Sequence, residues 1–182
     1  MKYFLVLGLI AVAFISGALG ALAVNSIRSE HEVMRDFYLA ETASSVSPAE
    51  FASGLSKGKV NAVMVDLRSP QAYANGHFLT AVNIPVADLT NDQIIAAFKA
   101  LPQDKPVVTY CYSSYCMLSR NVGKFLSDNG IFVKHLTAGG KEIQSDYATY
   151  VVNGTAPGEL DPNGKYSPDI CPPNGLGNLG SC

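Results

Sequence analysis

From residue 48 to about residue 152, short apolar runs alternate with helix-forming segments, and that alternation constrains the fold most. Residues 61–65 (NAVMV), 81–84, 106–110 (PVVTY) and 131–136 (IFVKHL) read as strands, and Asp66 follows the first of them. Ser47-Pro48 with Glu50 opens a helix, proline standing at its first position. Ser69-Pro70 opens a second, which Asn75-Gly76 ends. Ile94, Ile95, Phe98 and Leu101 form one face of a helix over 91–101. Further helices are expected over 117–129, closed by Gly130, and over 141–151. Such alternation predicts an α/β fold with a central, mainly parallel sheet flanked by helices. In sheets of this kind ligands sit at the carboxyl ends of the strands.

Before this region lies an uninterrupted apolar segment. Residues 4–24 carry no charge, and Ser16 is their one hydroxyl. At 1.5 Å per residue, a helix of that length spans roughly 30 Å, a bilayer core. Lys2 precedes it. Two readings stand. Length favours an uncleaved transmembrane anchor, while Ala21-Leu22-Ala23 resembles a signal-peptide cleavage pattern. Residues 1–25 are therefore assigned to an anchor or signal segment, and 26–46 to a polar stalk. In the stalk Ile27, Met34, Phe37 and Tyr38 fall near one helical face. The globular part is expected outside the cytoplasm, tethered to the membrane or secreted after cleavage. The short amino flank favours export of the carboxyl side, and the sequon Asn153-Gly154-Thr155 is compatible with it.

The remaining composition narrows the classes of function. The chain has 182 residues, a net charge of −2 and 15% charged residues. That length supports one compact domain of modest size, here 47–152. With no basic surplus to neutralise phosphates, nucleic acid is excluded as an expected partner. Residues 153–182 hold six Gly, five Pro and four charges, a loop-like tail that cannot form long regular elements.

The chemistry concentrates where PVVTY runs into Cys111. There follow Tyr112, Ser113, Ser114, Tyr115 and Cys116, and then a helix. A cysteine at the carboxyl end of a buried strand, before a short loop and a helix amino terminus, is placed for an anion cradle. Inward-turned N–H groups and the helix dipole both favour thiolate, the nucleophilic form. Position alone equally allows a small buried hydrophobe.

Several motifs around this cysteine carry a family resemblance. Residues 65–85, V-D-L-R-S-P-Q-A-Y-A-N-G-H-F-L-T-A-V-N-I-P, resemble the rhodanese signature: D-x-R, an aromatic, G-H, then A-x-N-I-P. V-V-T-Y-C before a helix, N-G-I-F-V-K-H-L and Gly139-Gly140 resemble the rest of that domain. The resemblance implies a rhodanese-like fold over roughly 46–150 and a sulfurtransferase activity. It makes Cys111 the carrier of a sulfane sulfur as persulfide, with Tyr112, Ser113, Ser114, Tyr115 and Cys116 as the substrate-binding loop. It implies a small sulfur-containing donor and a thiol acceptor, and no cofactor. Asp66 and Arg68 correspond to the family's Asp and Arg. Asp66 is expected to tie down the loop after its strand, and Arg68 either to shape the fold or to add positive charge near the site. Gly76 and His77 are expected to serve the fold.

Two departures matter. Many rhodanese loops carry Arg or Lys; this one has none, which disfavours thiosulfate, and the nearest downstream base is Arg120. A related phosphatase would need arginine where Met117 stands, which argues against phosphoryl transfer. Cys116 leaves three readings open: a resolving thiol for a Cys111 persulfide, half of a thiol–disulfide redox pair with Cys111, or a small residue under the helix start. Cys171 and Cys182 are expected to form a structural disulfide in an oxidising compartment. The cysteine spacing does not favour a metal site. His31, His77 and His135 do not form a site. Tyr112 and Tyr115 are placed to line a pocket mouth or a protein contact surface. Besides the sulfurtransferase, two rivals remain: an inactive rhodanese-like binding module at the membrane surface, and a redox protein using Cys111 and Cys116.

Overall fold

The computed structural model describes residues 10, 12–17, 20 and 28–160. The expected membrane segment falls mostly outside these residues, as do Ala21-Leu22-Ala23, Cys171 and Cys182. Among the described residues no helix is long and apolar enough to cross a membrane. The chain divides into two units, residues 1–42 and 43–182. The stalk is helical: α1, Glu30–Ser44, buries none of its residues. Ser29 and Glu32 bond each other at its start, and Arg28 pairs with Asp36.

The second unit is the α/β domain. Its elements are β1 (Ser45–Val46), α2 (Pro48–Ser56), β2 (Val63–Asp66), α3 (Pro70–Ala74), β3 (His77–Phe78), β4 (Val82–Asn83), α4 (Asn91–Lys99), β5 (Val107–Tyr110), α5 (Leu118–Asp128), β6 (Val133–Leu136), α6 (Gly140–Asp146) and β7 (Val151–Val152). The main sheet has the order β1-β6-β5-β2-β4, and every pair in it is parallel. Asp66 lies beside Tyr110 in register, so both end at the same rim as Cys111. The last two stalk residues, Ser45 and Val46, are the sheet's edge strand rather than spacer.

Side-chain alternation divides the core into two layers. Met64, Val108 and Tyr110 join Phe51, Leu55, Phe78, Leu136 and Ile143 on one face. Val65 and Val107 join Ile94, Phe98, Val122 and Leu126 on the other. Helices thus cover both faces of a sheet whose central strands are apolar on each side, as expected for parallel pairing.

One expected element differs. The helix over 141–151 stops at Asp146, and Val151–Val152 instead pairs antiparallel with His77–Phe78 as a second, two-stranded sheet. Tyr147, Tyr150, Val151 and Val152 pack against the Phe51–Ile143 layer from there. β-Branched and aromatic side chains with an available strand partner favour this pairing over another helical turn.

Candidate functional site

The D-x-R motif builds a buried support beneath the loop. Asp66 is fully buried and Arg68 is 4% exposed. Arg68 Nε donates to both Asp66 carboxylate oxygens at 3.0 Å, and its Nη2 donates to Oδ2 at 2.6 Å and to the Gly76 carbonyl at 2.8 Å. Burial alone would lower the guanidinium's affinity for its proton; hydrogen bonding and attraction to Asp66 more than offset it, holding Arg68 charged. Arg68 also lies 5.6 Å from the Tyr110 ring centre. Its Nε and Nη2 donors are therefore directed to the fold, the first of the two roles left open for it. The other motif residues complete the same support. Asn83 Nδ2 donates to the carbonyls of Asp66 and Arg68, and Tyr73 Oη donates to that of Ala81 at 2.6 Å. Gly76 has φ +135°, a backbone that a side chain rarely adopts. His77 stacks on Tyr73 at 3.7 Å, with Nδ1 2.9 Å from the Tyr73 carbonyl oxygen and Nε2 3.0 Å from that of Ala156.

Gly139-Gly140 connects this support to the loop. The Gly140 N–H donates to the Cys111 carbonyl at 2.8 Å, and the Lys141 N–H to that of Tyr112 at 3.0 Å. The start of α6 thus holds the loop's first two carbonyls. Both glycines are required sterically. A Cβ on Gly139 would lie 2.2 Å from the Ser113 nitrogen, and one on Gly140 would lie 2.1 Å from Arg68 Nη1. Glu142 completes the clamp. Its Oε2 accepts the N–H of Ser114 at 2.9 Å and of Gly139 at 3.0 Å, and its Oε1 accepts the Ser114 hydroxyl at 3.1 Å. Partial burial opposes its charge, but these donors hold the Glu142 carboxyl below its ordinary value. Tyr112 reaches back from the loop, its Oη accepting the Ser69 N–H at 3.2 Å.

With its carbonyls held, the loop curls. The Cys116 N–H donates to the Ser113 carbonyl at 3.0 Å, a turn that folds residue 116 back over residue 111. Cys111 Sγ lies 3.4 Å from the Cys116 carbonyl oxygen and 3.9 Å from Ser119 Oγ. The two thiols are close enough to shift each other's titration. Helix α5 starts at Leu118 with no side-chain cap on its first N–H groups.

The loop's backbone acts on both sulfurs: the amides of Tyr112, Ser113 and Leu118 lower Cys116, and that of Ser119 lowers Cys111. Burial pushes the Cys111 thiol up, as does its bond to Cys116, and the residue is only 2% exposed. Burial also opposes charge on half-buried Cys116, but the Cys111 thiol and the three amides overcome it and draw that thiol down. The two thiols thus shift in opposite directions, Cys116 down and Cys111 up, so that Cys116 is the first of the pair to ionise.

Of the remaining expected residues, Ser113 and Ser114 are half-buried in the curl, and Tyr115 is 91% exposed. Arg120 is exposed on α5, and among the described residues no cluster suits a metal ion. Reading the sequence missed Glu142, Ser119 and Tyr110. For Glu142 there was a local signal, an acid three residues after the residue preceding a helix. Ser119 and Tyr110 became visible only with the fold.

Comparison with known proteins agrees with this architecture. A family described as Rhodanese-like domain matches residues 47–146. The HTH-type transcriptional regulator Rv0324 of Mycobacterium tuberculosis is 31% identical over 94 residues, which cover 52% of this chain and 38% of that protein. This chain thus spans well under half of that relative's length. The crystal structure of the BH2092 protein from Bacillus halodurans superposes with a TM-score of 0.56 at 25% identity, covering 70% of this chain and 88% of the other. A full-length protein from Lactobacillus plantarum gives 0.54 at 13% identity, covering 68% and 98%. With its parallel sheet, its D-x-R support and its loop cysteine at the end of the central strand, the chain belongs to the rhodanese-like domain family, which includes sulfurtransferases.

Proposed function

We propose that the domain is a sulfurtransferase that carries sulfane sulfur as a persulfide on Cys111. The single observation that supports this best is the close pairing of Cys111 with Cys116 at the end of β5, beneath the uncapped start of α5. Of the two thiols Cys116 ionises first, which puts a base beside Cys111. As Cys111 Sγ attacks the outer sulfur of a donor R–S–SH, its proton passes to the Cys116 thiolate. The donor's S–S bond breaks, and the departing R–S⁻ collects that proton from Cys116. Cys111 is left as a persulfide, ready for a thiol acceptor.

The loop's composition narrows the donor. Residues 111–117 contain no cation, and Arg68 is committed to Asp66. A doubly charged donor such as thiosulfate would find amides but no counter-charge. A persulfide or polysulfide, of lower charge and greater polarisability, suits a rim of Tyr112, Tyr115 and Met117, all exposed. The test uses the full chain with inorganic polysulfide and a thiol acceptor. Wild type is expected to transfer sulfur to the acceptor well above the uncatalysed rate, and Cys111→Ser to fall to that rate. Transfer by Cys111→Ser at the wild-type rate sinks the reading.

A second reading, a non-catalytic binding module, draws on the near-complete burial of Cys111 and on a relative named as a transcriptional regulator. It predicts no sulfur gain on any loop peptide. The apolar segment 4–24 supports a membrane-tethered or exported setting, with the domain outside the cytoplasm. Protease protection of the domain in intact cells, lost on permeabilising the outer face alone, checks that placement.

A further inference from the structure

We propose that Cys116 is a resolving thiol: it attacks the Cys111 persulfide, releases hydrosulfide and leaves a Cys111–Cys116 disulfide. The inference rests on the persulfide reading and deepens it by naming the fate of the sulfur. The geometry comes from the turn closed by the Cys116 N–H on the Ser113 carbonyl. That turn brings the Cys116 backbone oxygen to 3.4 Å from Cys111 Sγ, so residue 116 is folded against the carrier sulfur. The exposures are unequal. Cys111 is 2% exposed while Cys116 is half-buried, so a second thiol inside the loop meets the carrier sulfur more readily than a bulky external acceptor does.

The step balances without an added oxidant. The Cys116 thiolate forms a bond to Cys111 Sγ, the inner sulfur of the persulfide. The bond from Cys111 Sγ to the outer sulfur breaks, and that sulfur leaves as HS⁻ with the electron pair. The sulfane sulfur is reduced by two electrons, and the two cysteine thiols supply them. A low-molecular-weight thiol or a dithiol then reduces the disulfide and returns the pair to its starting form. The proposal makes the protein a sulfide-releasing transferase that stops after one turnover without a reducing thiol.

The experiment treats the full-length, pre-reduced chain with inorganic polysulfide in the absence of any other thiol, then maps peptides and measures sulfide. Wild type is expected to release sulfide and to lose two hydrogens, with the linkage mapped to Cys111 and Cys116. Mapping separates this bond from any involving Cys171 or Cys182. Cys116→Ser and Cys116→Ala are each expected to keep the added sulfur on Cys111 and to release only the sulfide that loading itself frees from the polysulfide. Both variants lack the Cys116 base and are expected to load more slowly, but without that neighbour Cys111 itself titrates lower, so loading still reaches one sulfur on Cys111 at long times. A stable Cys111 persulfide in wild type, without the disulfide, overturns the inference and leaves the persulfide reading standing. Loss of sulfur loading on Cys111 in both variants, with circular dichroism unchanged, overturns the carrier assignment as well.

Discussion

The Glu142 carboxylate, one turn into α6, accepts both the backbone N–H and the hydroxyl of Ser114, which lies at the middle of the cysteine loop. A single side chain thus fixes the curvature that brings Cys116 over Cys111. Replacing it with alanine leaves the Ser114 and Gly139 donors without partners and is expected to cost about 1–3 kcal/mol. Its pH signature follows from its depressed carboxyl. The stabilisation is present above the ordinary carboxylate pKa and is lost as pH falls through the lower folded value. Urea midpoints of wild type and Glu142→Ala should therefore converge in acid. A constant gap down to the acid transition contradicts this role.

Gly139 faces backbone, which cannot swing aside as a side chain can. Its missing Cβ would sit 2.2 Å from the Ser113 nitrogen and 2.4 Å from the Ser113 Cα. Gly139→Ala is expected to push the loop from α6 and to destabilise by about 1–3 kcal/mol or more. Sulfur loading of Cys111 should fall further than stability alone explains. An unchanged urea midpoint would show that the approach is looser than described.

The Asp66–Arg68 pair is buried, with side chains 0% and 5% exposed. Its partners also include the Gly76 carbonyl. Asp66→Asn or Arg68→Met alone leaves a buried charge uncompensated, expected to cost about 3–5 kcal/mol. Arg68→Lys should not rescue, since a point charge does not reproduce the fork to both Asp66 oxygens. Chemical denaturation of the three variants decides it. A lysine variant as stable as wild type would assign Arg68 a simple charge role.

These comparisons show what could be read from residue order. Asp66, Arg68, Asn83 and Gly76 lie within one short motif, and their contacts are mostly local in the chain, so the pattern announced them. The strands on either side of Cys111 were legible because buried parallel strands read as apolar runs. The orientation of the sulfurs was not. Which N–H groups meet Cys111 and which meet Cys116 depends on one turn at Ser113 and on carbonyls held by Gly140 and Lys141, far away in sequence. Strand β7 was hidden for the same reason: Val151–Val152 is a strand only because His77–Phe78 offers it an edge.

His77 gives a prediction of opposite pH sense to a gained cation. It is fully buried, and burial pulls its imidazole below the ordinary 6.5, outweighing the two carbonyls at its nitrogens. The folded state binds fewer protons there than the unfolded chain. Stability contributed by neutral His77 is thus present above about 6.5 and declines as pH falls below it. His77→Gln should start lower at pH 8 and lose that part of the decline between pH 6.5 and 5. Parallel curves for the two proteins would assign the decline elsewhere.

The two thiols should differ in reactivity, and the order tests the site most directly. Cys116 is half-buried and drawn below the ordinary thiol value, whereas Cys111 is buried and pushed above it. A small alkylating reagent at neutral pH is expected to modify Cys116 faster, by on the order of tenfold or more. The Cys116 rate should reach half its plateau below the ordinary thiol pKa, the Cys111 rate only above it. In Cys116→Ser the thiolate neighbour is gone, so Cys111 should titrate lower than in wild type while staying slow through burial. Peptide mapping after timed quenching gives both rates. Faster labelling of Cys111 than of Cys116 in wild type would reverse the order in which the two ionise, and with it the direction in which the proton moves.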